Sequence, residues 1–247
     1  QFGVGADGCV FVGSSSKGQF HIRIFNRDGT EAGMSGNGAR CACAYLHHHG
    51  LADGPKIPLH TRSGLKVHIL LEQSEWSWRY KSLMGAPAFE PAAIPFQAPA
   101  ALETVEEYPL EVHGETVLIT ALSVGNPHCV VFVEEFPQAE DLERLGSALE
   151  VHSCFPDRAN VSFVRVKEHH QLEIKMWERG VGPTYSSGTC SCAAAVAAIR
   201  AGKVESPVEV HTDTGSQLVE WNPVGEIVLT GKAEFVAEVQ FQWNQHV

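Results

Sequence analysis

Apolar and polar residues alternate through "HIRIFNR" (residues 21–27) and again through "EIKMWER" (173–179). A period of two marks a half-buried strand. Upstream of each, "VFV" (10–12) and "SFV" (162–164) read as shorter strands. The pattern then changes: "GARCACAYLHHHG" (38–50) and "CSCAAAVAAIRAG" (190–202) are rich in alanine and other small residues, lack proline and close on Gly50 and Gly202. Each reads as a helix ended by a glycine able to take the left-handed conformation. Both are apolar nearly all round, which predicts burial within a layer of strands.

The two halves are copies of one pattern. Laying "MSGNGARCACAYL" (34–46) over "SSGTCSCAAAVAA" (186–198) aligns the strands before them, and Gly50 and Pro55 fall on Gly202 and Pro207. After a one-residue slip, "LHTRSG" (59–64) falls on "VHTDTG" (210–215). An order of strand, strand, turn, helix, strand therefore occurs twice. The predicted fold is α+β: two homologous domains, each a curved mixed or antiparallel sheet wrapped around a central helix, pseudo-twofold, with a cleft between them. The proline-rich "MGAPAFEPAAIPFQAPAA" (84–101) reads as the link. The expected boundaries are 1–97 and 98–233, with 234–247 returning as a strand to the first domain.

Composition narrows the function classes. With 18 basic and 29 acidic residues the net charge is −11, which argues against a nucleic-acid or anionic-membrane surface. The chain has no apolar run of the roughly 18 residues that span a bilayer, and no charged-then-apolar leader opens it. It begins at Gln1, without a methionine, directly in a glycine-rich segment, so residues preceding Gln1 are expected. Seven cysteines, an odd and modest number, point to a reducing cytoplasm. "CAC" and "CSC" lack the spacing of a zinc knuckle and lie in alanine-rich runs, where small buried residues are the simpler reading. "HHH" (47–49) ends a helix and reads as a solvated terminus, because successive helical residues diverge. Neither a metal nor a cofactor is expected.

The repeated turn carries the chemistry. "SGNG" could make a hairpin, but a strand precedes it and an alanine-rich helix follows, so Gly36, Asn37 and Gly38 should open that helix. A helix N-terminus presents unpaired amides and a positive dipole end to an anion, and glycine allows close approach. "SGTC" (187–190) should form a second such site. Two facing domains would aim Ser35 and Ser187 at a ligand from opposite sides, an arrangement suited to moving a proton off one face of a carbon and onto the other. Other motifs fail. "GVGADG" (3–8) matches a dinucleotide fingerprint but is followed by a strand where a helix is required. "GMSGN" (33–37) lacks the last glycine of a hydrolase elbow, and "SGLK" (63–66) matches S-x-x-K by letter only, inside an expected strand.

These residues together resemble the diaminopimelate epimerase family. "FGVGADG", "RIFNRDGTEAGMSGNGARC", "VGNPHCVVFV", "RANVSFV" and "WERGVGPTYSSGTCSCAAA" are similar to its signature segments, in the same order, over nearly the whole chain. The resemblance implies a cofactor-free, cytoplasmic, commonly dimeric enzyme that interconverts LL- and meso-diaminopimelate for lysine and cell-wall synthesis. It implies substrate-binding roles for Asn26, Asn126, Asn160, Glu178 and Arg179, which would hold the distal zwitterion. Without the resemblance, Asn26 reads equally well as a turn residue, and Glu178 with Arg179 as a salt-bridged strand end. Gly36 with Asn37, and Gly188 with Thr189, match the backbone cradles for the reacting carboxylate. The catalytic positions depart from the family: where it has two cysteines, this chain has Ser35 and Ser187. A serine hydroxyl is a much weaker acid than a thiol and needs a separate base, and neither motif contains a histidine. Cys190 replaces a usual glycine, and rescue by its thiol is not expected. The family also carries an N-terminal strand with a substrate-binding asparagine ahead of these motifs. The serines fit an engineered replacement, a working natural variant, or a homologue that binds an amino acid without turning it over. An isomerase, racemase or lyase of the same superfamily acting on another amino-acid-like substrate is the alternative enzyme.

Overall fold

The computed structural model describes residues 5–6, 8–15 and 19–240. The chain divides into two compact units, Gln1–Tyr80 with Lys232–Val247, and Lys81–Gly231. In the first unit the strands are β1 (Gly8–Ser14), β2 (Phe20–Asn26), β3 (Glu31–Ala32), β4 (Lys56–Thr61), β5 (Gly64–Gln73) and the start of β6 (Ser77–Gly85), with helix α1 (Gly36–His48) between β3 and β4. Their order is β1-β2-β4-β5-β6, with β3 on β2. β1 with β2 and β4 with β5 are antiparallel, whereas β2 and β4 are parallel and joined through α1. Ile22, Ile24, Ala39, Cys43, Leu46, Leu59 and Trp78 form the core on which the helix sits.

The second unit contains β7 (Val105–Val112), β8 (Glu115–Ser123), β9 (Pro127–Phe132), α2 (Ala139–Glu150), β10 (Asn160–Glu168), β11 (Gln171–Glu178), β12 (Gly182–Thr184), α3 (Gly188–Arg200), β13 (Val208–Thr212), β14 (Gly215–Glu220) and β15 (Ile227–Glu234). The order is β7-β8-β9-β10-β11-β13-β14-β15, with β12 on β11. Parallel pairing occurs where a helix intervenes, β9 with β10 across α2 and β11 with β13 across α3. α3 packs against β8, β9, β10, β11, β13 and β14, and every residue from Gly188 to Ala198 is buried. A run of eleven small or β-branched side chains can be enclosed this way because it demands little volume and leaves few polar atoms to satisfy. On the other side of the sheet, Leu149, Phe155, Val161 and Phe163 form a second core with residues of β7 and β8.

The duplication holds at the level of strand register. Val10 faces Ile24 in the first unit, and their counterparts Ser162 and Met176 face each other in the second. Ile24 faces Ala32 as Met176 faces Thr184. Phe20 faces Leu59 as Leu172 faces Val210. Register decides which side chains meet the core, so each copy delivers the same positions to its central helix.

Several expectations are corrected. The proline-rich segment is part of the second unit: Ala88 bridges Ser123, the Gln97 amide donates to the Cys154 carbonyl, and Ile94 and Phe96 are buried in the second core, with Phe96 against the rings of Tyr108 and Phe155. The boundary therefore falls after residue 80, inside β6, and the chain re-enters the first unit inside β15. The returning strand ends at Glu234; beyond it the Phe235 amide donates to the Trp76 carbonyl, and residues 235–240 form no strand. The rest of the expected strand, 241–247, lies outside the described residues, as do residues 3, 4 and 7 of "GVGADG". Unlike α3, α1 keeps an exposed face carrying Cys41 and Tyr45. Its histidine end is only partly solvated: His49 is exposed, whereas His47 Nδ1 meets the Tyr80 hydroxyl at 2.7 Å and His48 stacks on Phe235 with centroids 4.1 Å apart. Of "SGLK", Ser63 lies in the turn before β5 and Gly64, Leu65 and Lys66 lie in the strand itself.

Candidate active site

Ser35 and Ser187 are the N-caps of α1 and α3, with φ, ψ of −141°, 121° and −144°, 124°. Extended backbone at the cap followed by helical residues turns the serine hydroxyl back over the first turn. Ser35 Oγ accepts from the Gly38 amide at 3.1 Å, and Ser187 Oγ from the Cys190 amide at 3.4 Å. Gly38 is required by this closeness, since a β-carbon there would lie 3.1 Å from Val10 Cγ2 and 3.4 Å from Ser35 Oγ. Gly36 and Asn37 open α1, and Gly188 and Thr189 open α3; amides in a first helical turn lack intrahelical acceptors and point toward an incoming anion. At α1 the side chain of Arg40, only 3% exposed, donates to Asn37 Oδ1. That places a buried cation one turn from the helix start, with the same sign as the dipole.

The second unit holds its expected residues in separate hydrogen-bonded sets. Glu178, at the end of β11, is bonded through both carboxylate oxygens: Thr184 Oγ1 donates to Oε1 at 2.7 Å and Ser187 Oγ donates to Oε2 at 2.9 Å. The turn that makes this possible runs through Gly180 (φ 74°) and Gly182 (φ 95°), values at which a β-carbon is strained. It lays β12 back along β11, with Glu178 facing Gly182. The carboxylate within reach of the Ser187 hydroxyl thus comes from a neighbouring strand rather than from the motif itself. Asn160, 4% exposed, donates from Nδ2 to the Pro127 carbonyl (3.1 Å) and accepts at Oδ1 from the Arg179 amide (3.1 Å). Asn126 Oδ1 lies 2.9 Å from His128 Nε2. Arg179 donates to the Asp157 carbonyl at 2.9 Å. Among the described residues Glu178 and Arg179 form no ion pair with each other. In the first unit Asn26 closes the 26–30 turn, donating from Nδ2 to Thr30 Oγ1 at 3.1 Å while its amide donates to the Thr30 carbonyl. This is the turn role its sequence allowed.

Three participants were not read from the sequence. Thr184 holds the second oxygen of Glu178. His128 is wholly buried, its Nδ1 has no hydrogen-bond partner among the described residues, and burial together with the nearby Arg179 cation pushes its pKa down to about 3. Glu150, 6% exposed at the end of α2, accepts from Trp177 Nε1 (2.7 Å) and the Gly180 amide (2.9 Å), bracing both flanks of Glu178 and Arg179. Thr184 and His128 sit in the same segments as Glu178 and Asn126, but only folding shows which side chains meet, and Glu150 lies outside every motif. Cys190, singled out in the sequence, is fully buried, and burial first, then the Glu178 carboxylate, holds its thiol well above the usual range.

Comparison with known proteins then decides the family. The model of diaminopimelate epimerase matches residues 1–90 and 120–236. The chain belongs to the diaminopimelate epimerase family. The diaminopimelate epimerase of Moorella thermoacetica is 40% identical over 94% of this chain and 83% of its own. That of Desulfitobacterium hafniense is 38% identical over 96% and 82%. Among solved structures, a PhzF-family phenazine biosynthesis protein from Bacillus anthracis matches with a TM-score of 0.66 at 17% identity, covering 95% of this chain and 85% of that one. A hydroxyproline epimerase from Agrobacterium vitis matches with a TM-score of 0.65 at 16% identity, covering 93% and 74%. At these identities the two structures speak for the fold alone.

Proposed function

We propose that the protein is a cofactor-free amino-acid epimerase acting on diaminopimelate, with the helix starts at Ser35 and Ser187 each serving one proton transfer at the α-carbon. The observation that carries this reading is the Ser187–Glu178 hydrogen bond at a capped helix N-terminus. As Ser187 Oγ takes the substrate's α-proton, its own proton passes to Glu178 Oε2, leaving a neutral carboxylic acid and a carbanion adjacent to the substrate carboxylate. Return of that proton by Ser187 would restore the starting centre, so inversion takes its proton from the Ser35 hydroxyl, which solvent re-protonates while Glu178 gives its acquired proton up to solvent. Amides at the helix starts oppose the charge that develops on the substrate carboxylate. Gly36, Asn37, Gly188 and Thr189 are proposed to hold that carboxylate, and Asn26, Asn126, Asn160 and Arg179 the distal zwitterion. Glu178 is reassigned from that group to the proton relay, because both of its oxygens are engaged beside Ser187.

The serine pair also favours a second reading. A carboxylate is a weaker base than a thiolate by about four pKa units, so a Ser–Glu relay suits a C–H bond more acidic than that of an amino acid. An isomerase or lyase acting on an activated amino-acid-like substrate meets that condition. Proton NMR of LL-diaminopimelate in D2O separates the readings. Loss of the α-proton signal supports the epimerase, whereas a persistent signal beside a binding isotherm leaves a binding homologue or another substrate. A cytoplasmic, homodimeric protein is part of the proposal. Among the described residues no helix is long and apolar enough to cross a membrane, and sedimentation would read the oligomeric state.

A further inference from the structure

The turn between β10 and β11 consists of His169 and His170. The loop that follows α3 is tied to it: the Glu205 amide donates to the His169 carbonyl (2.9 Å) and the Glu209 amide to the His170 carbonyl (2.8 Å). His170 Nδ1 lies 2.7 Å from the Glu205 carbonyl oxygen and 3.1 Å from that of Pro207. Only an N–H can face two carbonyls, so the proton resides on Nδ1 and the ring's lone pair on Nε2. His169 Nε2 lies 3.2 Å from Glu205 Oε2. The two rings are nearly perpendicular with centroids 4.9 Å apart. One donor atom from each of His169, His170 and Glu205 falls within 4.8 Å of the others, and all three residues are exposed.

Two imidazoles beside one carboxylate are poorly matched as an ion-pair set. Glu205 can neutralise one protonated ring, and protonating both sets like charges side by side. A divalent cation removes the mismatch by taking a lone pair from each neutral ring and one from the carboxylate. We propose that His169, His170 and Glu205 form a surface site for a divalent transition metal of the zinc or cobalt kind. Imidazole nitrogen donors disfavour calcium and magnesium, which take oxygen ligands, and a two-histidine, one-carboxylate set leaves further positions to water. Metal bonds of about 2.0–2.2 Å draw the donors slightly closer than they stand, a movement open to exposed side chains. The backbone contacts of His170 already supply the outer hydrogen bonds that orient a ligating ring. β10 carries Asn160 at its other end, roughly 25–30 Å away at strand rise, and α3 carries Ser187 at its other end, roughly 20 Å away at helical rise. A metal here would therefore clamp the far ends of elements that bear site residues, without reaching reacting atoms.

No spacing motif announces the site, since its donors come from two segments brought together only by folding. Titration of the full chain with Co²⁺, followed by its d–d absorption and by Zn²⁺ competition, tests the proposal. The expected result is saturable binding without the sulfur-to-cobalt charge-transfer band that cysteine ligation gives. Affinity should fall about tenfold or more in both His170→Ala and Glu205→Gln, and Zn²⁺ should raise the melting temperature of the parent but not of the variants. Circular dichroism of the exposed-site variants confirms that they fold. Absence of binding, a thiolate charge-transfer band, or unchanged affinity in either variant would each overturn it.

Discussion

At the scale of the residue, Ser187 differs from Ser35, among the described residues, in donating a hydrogen bond to a carboxylate. Replacing Glu178 by Gln keeps a hydrogen-bonding side chain and the helix cap but removes the acceptor of the relay. Exchange of the substrate α-proton is expected to fall at least about a hundredfold, with the far-ultraviolet circular dichroism unchanged; equal exchange rates would refute the relay. Ser187→Ala removes relay and cap together, and should lower stability by about 1 kcal/mol in chemical denaturation as well. The paired change Ser35→Cys with Ser187→Cys should raise exchange well above the parent, because a thiol at a helix N-terminus titrates much nearer neutrality than a hydroxyl. Both serines and both glycine-opened helices were legible in the sequence, since cap chemistry is local. The partner of Ser187 was only half legible. Glu178 was singled out as a substrate ligand, and its turn toward Ser187 depends on the glycine-bent return of β12, which no short window reveals.

At the scale of the element, α2 works through a single close approach. A β-carbon on Gly146 would stand 2.9 Å from Trp177 Cβ, so the helix lies as near to β11 as a glycine permits. Gly146→Ala is expected to destabilise the protein by about 1–3 kcal/mol through overpacking, read as a shift in the urea midpoint. Glu150→Gln leaves that packing alone but cannot accept from both Trp177 Nε1 and the Gly180 amide. Substrate KM should rise with little change in melting temperature if Glu150 acts by positioning the 178–180 turn; a large stability loss with unaltered KM would make its role purely structural. The repeated strands and helices were readable because period and glycine stops are local. The 84–101 segment was misread for a physical reason: its prolines look like a linker, whereas Ile94 and Phe96, two apolar anchors among them, are what fix it in the second core.

At the scale of the whole molecule, two buried histidines make stability depend on pH. Burial pushes His68 down to about 4 and His128 to about 3, against 6.5 for a free histidine. The unfolded chain therefore binds more protons than the folded one between pH 6.5 and those values, and stability must fall as pH falls through that window. The loss is at most about 1.4 kcal/mol per pH unit for each histidine. Urea unfolding from pH 7 to 5 should show it, and His68→Asn with His128→Asn should flatten the dependence; an unchanged slope would mean that neither ring stays neutral in the fold. The shared strand register has a consequence of its own. In a symmetric dimer of identical subunits one codon change alters both halves of a site. Here the two helix starts are written separately in a single reading frame, so the residues at 35 and 187 can change independently of each other while both copies of the scaffold stay in register.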